Sequence, residues 1–274
     1  MAGGIQENRF LIPRLASLTS LQKNNRKAET VYTFMSLGAT QRKDFWWLQP
    51  LLVVIGLSSF GVYSTWAALQ GNNYQWGPYL SPFYSPLFLF SWWHWSPAIL
   101  ILWAPLGFRA TCYYYRKAYY RSFFMDPPAC AVGEFGEHRY SGETKFPFIL
   151  QNLHRFFLYF AILIIGILWI DAFKALRFNG KFGVGVGTIV LFLNTTFLSL
   201  YTFSCHSLRH IIGGKLDCFS SCKLNEFRHK AWSGVSVLNE RHMLWAWISL
   251  CTVGGADVYV RLCAMGIIHD IRLF

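Results

Sequence analysis

The apolar positions of this chain fall into five long blocks separated by polar, turn-forming segments. The first block covers about 48–69 and follows Trp46 and Trp47, placed as an interfacial aromatic belt would be. Gly71, Asn72, Asn73 and Gly77-Pro78 then signal turns. Residues 79–91 carry Pro82 and Pro86 and read as a loop lying on or in the membrane interface. The second block is about 92–111, with Pro97 near its start and Pro105 late. The third is about 148–170, and a short basic hairpin, 171–181, leads to the fourth at about 184–207. The fifth is about 242–268. Each block suits one bilayer crossing, which takes about 20 apolar residues in a helix. The pattern therefore predicts an all-α integral membrane bundle of five transmembrane helices over 48–268. A polar segment, 1–47, precedes it and a short tail, 269–274, follows.

Charge supports that reading. Only 14% of the 274 residues are charged, against about 25% in soluble domains. No Lys, Arg, Asp or Glu occurs between Asp44 and Arg109, room for two spans and an uncharged loop. Net charge is +12, but the basic residues sit in segments flanking the apolar blocks. They read as positive cytoplasmic loops and not as a nucleic-acid site. Segments 1–47, 109–152 and 205–241 hold seven, six and six Lys and Arg, nineteen in all. The opposite side holds three in 171–181 and Arg272. The positive-inside rule then places the N-terminus in the cytoplasm and the C-terminus outside, in a multi-pass protein of the inner membrane. Near Met1 there is no apolar stretch of the secretory type. The seven cysteines, odd in number and mostly in spans or cytoplasmic loops, argue against a disulfide framework.

This topology sorts the candidate chemistry by depth. His154 and His242 open the third and fifth spans, while His206 and His210 close the fourth. Cys112 and Cys205 end the second and fourth spans at the same cytoplasmic level, and Cys130 lies in the adjoining loop beyond Pro127-Pro128. Imidazole and thiolate together are ligands for iron, and two of each describe a Rieske-type [2Fe–2S] centre. A haem b would instead need two histidines facing each other across the bundle. Any single interfacial His is more often an amphipathic anchor than a ligand, and a Cys in a membrane helix is more often packing. The convergence of several on one level is what gives the cofactor reading its weight. The soluble Rieske spacings C-x-H and C-x-x-H are absent. His206 and His210, four apart, share a helical face. They suit either ligation or solvated positions at a helix C-terminus. Tyr114 and Arg116, in the run 112–121, are candidate hydrogen-bond donors to a quinone head. Asp257 and Arg261, four apart in the fifth span, read as an intrahelical ion pair about 22 Å from His242. No internal repeat stands out, which argues against a transporter built on repeated halves.

Six strings carry a family resemblance: YSTWAALQ (63–70), YLSPFYSP (79–86), CYYYRKAYYR (112–121), PPACAV (127–132), GETKFPFILQNLHR (142–155) and SCHSLRH (204–210). Over about 44–265 the chain resembles the large single-chain membrane anchor of actinobacterial-type succinate dehydrogenase, respiratory complex II. The resemblance implies a flavoprotein subunit and an iron–sulfur subunit as partners, docked on the cytoplasmic face. It implies a quinone site in this chain, which would make it a subunit of an enzyme and not an enzyme alone. Some relatives carry a membrane-embedded Rieske-type cluster in place of haem. Conventional anchors of this size bind two b haems through four histidines, whereas the outer level here offers only His94 and His269. The relatives also have a longer first outer loop with two cysteines, and this chain has no Cys before Cys112. Cys112, Cys130 and Cys205 fall inside matching strings and are the expected thiolates, with His154 and His242 as the expected imidazoles. A mono-haem cytochrome and a cofactor-free anchor are the competing readings.

The charge asymmetry predicts that a reporter active only in the cytoplasm gives no signal when fused after Phe274. A bright C-terminal reporter would overturn the five-span topology.

Overall fold

Pro97 decides where the second apolar block becomes helical. The computed structural model describes residues 37–134, 142–178, 180–214 and 216–274. Residues 1–36 of the N-terminal segment and His138 lie outside the described residues. Helix α1 (Leu48–Gln70) forms as expected and ends at Gly71, which takes the left-handed conformation (φ 64°) that glycine adopts without steric cost. The second block differs from expectation. Its helix, α2 (Ile99–Ala110), has 12 residues, about 18 Å of rise and too short to cross the apolar core alone. Pro97 disfavours helix at the residue before it. The Ser96 carbonyl accepts from the Trp93 indole and the Ile99 amide, so helix begins only beyond them.

The segment 79–86, expected on the interface, is instead folded into the bundle. Tyr79, Ser81 and Tyr84 are fully buried. Irregular backbone at membrane depth is tolerated where protein buries it, and here its side chains also cap neighbouring helices. The Tyr84 hydroxyl donates to the Ala67 carbonyl (2.8 Å) and accepts from the Gly71 amide (3.1 Å), closing the end of α1. A two-residue antiparallel ladder, β1 (Gln75–Trp76) with β2 (Tyr79–Leu80), forms the turn before it.

After α2 comes a short helix α3 (Tyr113–Tyr119), which passes into a π turn at Tyr120–Phe124. The third block starts as a 3-10 turn (Phe148–Leu153) and becomes α4 (His154–Lys174). The basic hairpin is β3 (Arg177–Phe178) against β4 (Lys181–Phe182). The fourth block breaks in two: α5 (Val186–Phe203), then α6 (His206–Gly213). A surface helix the hydrophobic blocks did not reveal, α7 (Lys223–Glu240), packs on α6 with its Trp232 ring against Gly213, where a Cβ would meet the ring at 2.2 Å. The fifth span is α8 (His242–Ala264). The expected tail is held in place, since Val184 and Val186 exchange backbone hydrogen bonds with Ile271, Leu273 and Phe274. Four of the eight α-helices among the described residues, α1, the α4 segment, α5 and α8, are long and apolar enough to cross a membrane. The shorter α2 packs beside them on α4.

A buried polar network lies toward the end of the bundle where α1 meets the 79–86 segment. Asp257, fully buried, pairs with Arg261 (3.4 Å) and accepts from Tyr63 (2.5 Å) and Ser81. Arg261 donates onward to the carbonyls of Ala67 (3.3 Å) and Asn72 (3.0 Å). Thus the intrahelical pair expected from spacing also ties α8 to α1 and to the buried segment. Removing one partner of a buried pair strands the other charge, at a cost of about 3–5 kcal/mol. Arg261→Met is therefore expected to lower the thermal midpoint of the detergent-solubilised protein and its accumulation in membranes. A variant as stable and abundant as the parent would show that the pair does not hold the bundle.

Candidate functional site

Cys112 and Cys205 occupy equivalent joints. Each is the single extended residue between an apolar helix and the shorter helix that follows: α2 into α3 at Cys112 (φ −68°, ψ 132°), α5 into α6 at Cys205 (φ −66°, ψ 136°). The bend leaves each sulfur inside the bundle, with Cys112 and Cys205 almost wholly buried. His154 and His242 are the first residues of α4 and α8, so their rings reach the same level from helices running the other way. The pairs are crossed. His154 Nε2 lies 3.1 Å from Cys205 Sγ, and His242 Nε2 lies 3.4 Å from Cys112 Sγ.

The residue before each cysteine fixes a histidine tautomer. Thr111 Oγ1 donates its only proton to the Gly107 carbonyl (2.7 Å), so at 3.0 Å from His154 Nδ1 it must accept. His154 therefore carries its proton on Nδ1 and turns the Nε2 lone pair to Cys205. Ser204 repeats the arrangement: it donates to the Tyr201 carbonyl (3.0 Å) and stands 2.7 Å from His242 Nδ1, leaving the Nε2 lone pair toward Cys112. An aromatic ring four residues before each cysteine backs the same histidine. Phe108 stacks on His154 (centroids 4.6 Å, 6° between planes) and Tyr201 stacks on His242 (5.1 Å, 21°). Gly107 lets α4 approach, since a Cβ there would lie 2.2 Å from the Phe157 ring.

The chain thus contains a five-residue pattern twice, aromatic-x-x-hydroxyl-Cys, at Phe108–Cys112 and Tyr201–Cys205. Sequence reasoning missed Thr111, Ser204, Phe108 and Tyr201. The doubled pattern was the available signal, too short to register as an internal repeat.

Other expected site residues lie elsewhere. Cys130 is exposed in a turn, and its carbonyl accepts from Arg42 (2.8 Å). It does not join Cys112, Cys205, His154 and His242, because the turn after Pro127-Pro128 carries it out to the surface. His206 and His210 are exposed on α6 with their Nε2 atoms 3.0 Å apart, and they hydrogen-bond each other and not the buried group. Arg116 is engaged by Glu143 (2.9 Å) and packs over Tyr113 and Phe148. Tyr114 accepts from the Trp247 indole (2.6 Å), which leaves the phenol proton to donate.

Two imidazole nitrogens with lone pairs and two thiols, all from one level, form a donor set suited to iron. Among the described residues no three His, Cys, Asp or Glu side chains converge on a point that would hold a single metal ion. A binuclear iron–sulfur centre is less demanding, because bridging sulfides complete each iron's shell and the protein supplies only two ligands per iron.

The comparisons with known proteins agree with this architecture. Residues 48–266 match the family described as the actinobacterial succinate dehydrogenase subunit SdhC. No curated protein sequence matches the chain. Among solved structures, the chain is similar to one in the Mycobacterium smegmatis Sdh1 complex in the apo form, at 43% identity and a TM-score of 0.77, over 86% of this chain and 94% of that one. With most of its length and both halves of the His/Cys layer inside the matched region, the chain belongs to the actinobacterial succinate dehydrogenase SdhC family.

Proposed function

We propose that His154, His242, Cys112 and Cys205 hold a Rieske-type [2Fe–2S] cluster at the basic end of the bundle. As an SdhC-type protein the chain is the membrane anchor of bacterial complex II in the inner membrane, and it serves quinone reduction. Its partners are the flavoprotein and iron–sulfur subunits of the complex. The basic end, with Arg109, Arg116 and Arg241, faces the cytoplasm in this reading, as the charge asymmetry supports.

The observation that carries the cofactor reading is the crossed pair of hydrogen-bond chains. Thr111 and Ser204 leave both Nε2 lone pairs facing sulfur, as neutral imidazole ligands require. When bound, such a cluster supplies a one-electron relay between the docked iron–sulfur subunit and quinone. The protein's own contribution is to orient the four ligands, exclude water with Phe108 and Tyr201, and keep the ligand level close to the partner's docking face. Tyr114, with a proton free to donate beside an apolar wall, is the candidate donor to a quinone carbonyl. A haem b would call for imidazoles facing each other, and here each Nε2 is turned to a thiol.

Replacing His154 and His242 together with alanine is expected to abolish succinate-driven quinone reduction. Dye-linked succinate oxidation should persist, because its chemistry sits in the partner subunits, and the complex should lose iron. If quinone reduction and metal content both survive, the histidines are interfacial anchors and the chain is a cofactor-free support. Thr111→Val and Ser204→Ala test the tautomer argument separately. Each should weaken metal retention by about 10- to 100-fold, read as iron lost on titration with a chelator. Unchanged retention in both would show that the hydroxyls do not orient the ligands.

A further inference from the structure

The two halves of the His/Cys layer share the aromatic, hydroxyl and cysteine positions but differ in the residues between them. After Phe108 the chain has Arg109, whereas after Tyr201 it has Thr202. Arg109 turns inward from the last turn of α2. It donates to the Tyr115 hydroxyl (2.6 Å), the Ala246 carbonyl (3.3 Å) and Ser249 Oγ (3.0 Å). Its guanidinium also lies over the Tyr201 ring, 4.6 Å from the centroid. None of these partners is an anion, and among the described residues Arg109 makes no ion pair. A half-buried guanidinium turned toward the bundle and satisfied only by neutral groups is placed to favour negative charge that develops beside it. Tyr201 gives a second sign. It is 1% exposed, its hydroxyl has no hydrogen-bond partner, and it neighbours the Cys112 thiol. An unsatisfied buried hydroxyl beside a sulfur is positioned to donate to a thiolate once one forms.

We infer that Arg109, acting through Tyr201 beside Cys112, is a positioning residue that raises the reduction potential of the centre held by the His/Cys layer. The inference rests on the cluster reading above. A [2Fe–2S] centre held by Cys112, Cys205, His154 and His242 would be neutral overall when oxidised, with its two thiolates balancing the core, and would carry one negative charge when reduced by one electron from the partner's iron–sulfur subunit. It loses that charge as the electron passes on, and two such electrons with two protons convert quinone to quinol. A fixed cation favours the reduced state, and hydrogen bonding to a ligand sulfur acts in the same direction.

The test is a redox titration of the intact purified complex, followed by the electron-paramagnetic signal of the membrane centre. Arg109→Gln should make the centre about tenfold harder to reduce at fixed potential, a fall of about 59 mV for a one-electron couple. Arg109→Lys, which keeps the charge, should restore most of the shift. Ser249→Asp keeps Arg109 but sets a carboxylate against it, and should shift the signal in the same direction as Arg109→Gln. An unchanged midpoint in both Arg109→Gln and Ser249→Asp, with the signal intact, would overturn the proposal and reduce Arg109 to a packing residue. Loss of the complex from the membrane in both would also overturn it, by assigning the arginine to assembly. Failure of the cluster reading itself shows differently: His154→Ala would then leave the parent's signal and iron content untouched.

Discussion

A neutral imidazole has one proton and one lone pair on its two ring nitrogens, and a hydroxyl has one proton to give. Those two limits fix the arrangement at the centre of this protein. Thr111 and Ser204 each give their proton to the backbone carbonyl a turn or less behind them, so each can only accept from the histidine it faces. The histidines must then present Nε2 to sulfur. Nothing in this argument needs a strong individual interaction. It follows from counting the protons that these few side chains can give and take.

The rest of the bundle can be understood as what places those four groups. Cysteines at helix joints and histidines at helix starts meet on one level only if neighbouring spans run in opposite directions and end at the same height. The height is set by breaks in the helices. α2 gives way at Cys112, α5 at Cys205, and α4 begins at His154 only after a turn of 3-10 helix. The surface helix α7 reinforces one joint, since Asn239 donates to the Ser204 carbonyl (2.7 Å). At the other end of the bundle the Asp257–Arg261 network and the capping hydroxyl of Tyr84 hold α1 and α8 in register. Two polar levels separated by apolar packing thus differ in make-up, one an ion-pair network and one a set of imidazoles and thiols.

Apolar runs of about 20 residues, sparse charge and a lopsided distribution of Lys and Arg were enough to determine a multi-pass helical protein. The level of His154, His242, Cys112 and Cys205 also followed from counting along the spans. These properties depend on composition averaged over a helix length, and a bilayer enforces them locally. The tertiary structure decided what depends on single atoms. It shortened the second span at Pro97, drew Tyr79 and Tyr84 into the bundle, put Cys130 on the surface, and paired Arg116 with Glu143. It also crossed the partners, joining His154 to Cys205 and His242 to Cys112. Spacing reports depth and face, but which sulfur meets which nitrogen depends on how four helices pack. That packing is set by contacts between residues as far apart in the chain as Cys112 and His242, which no local pattern encodes.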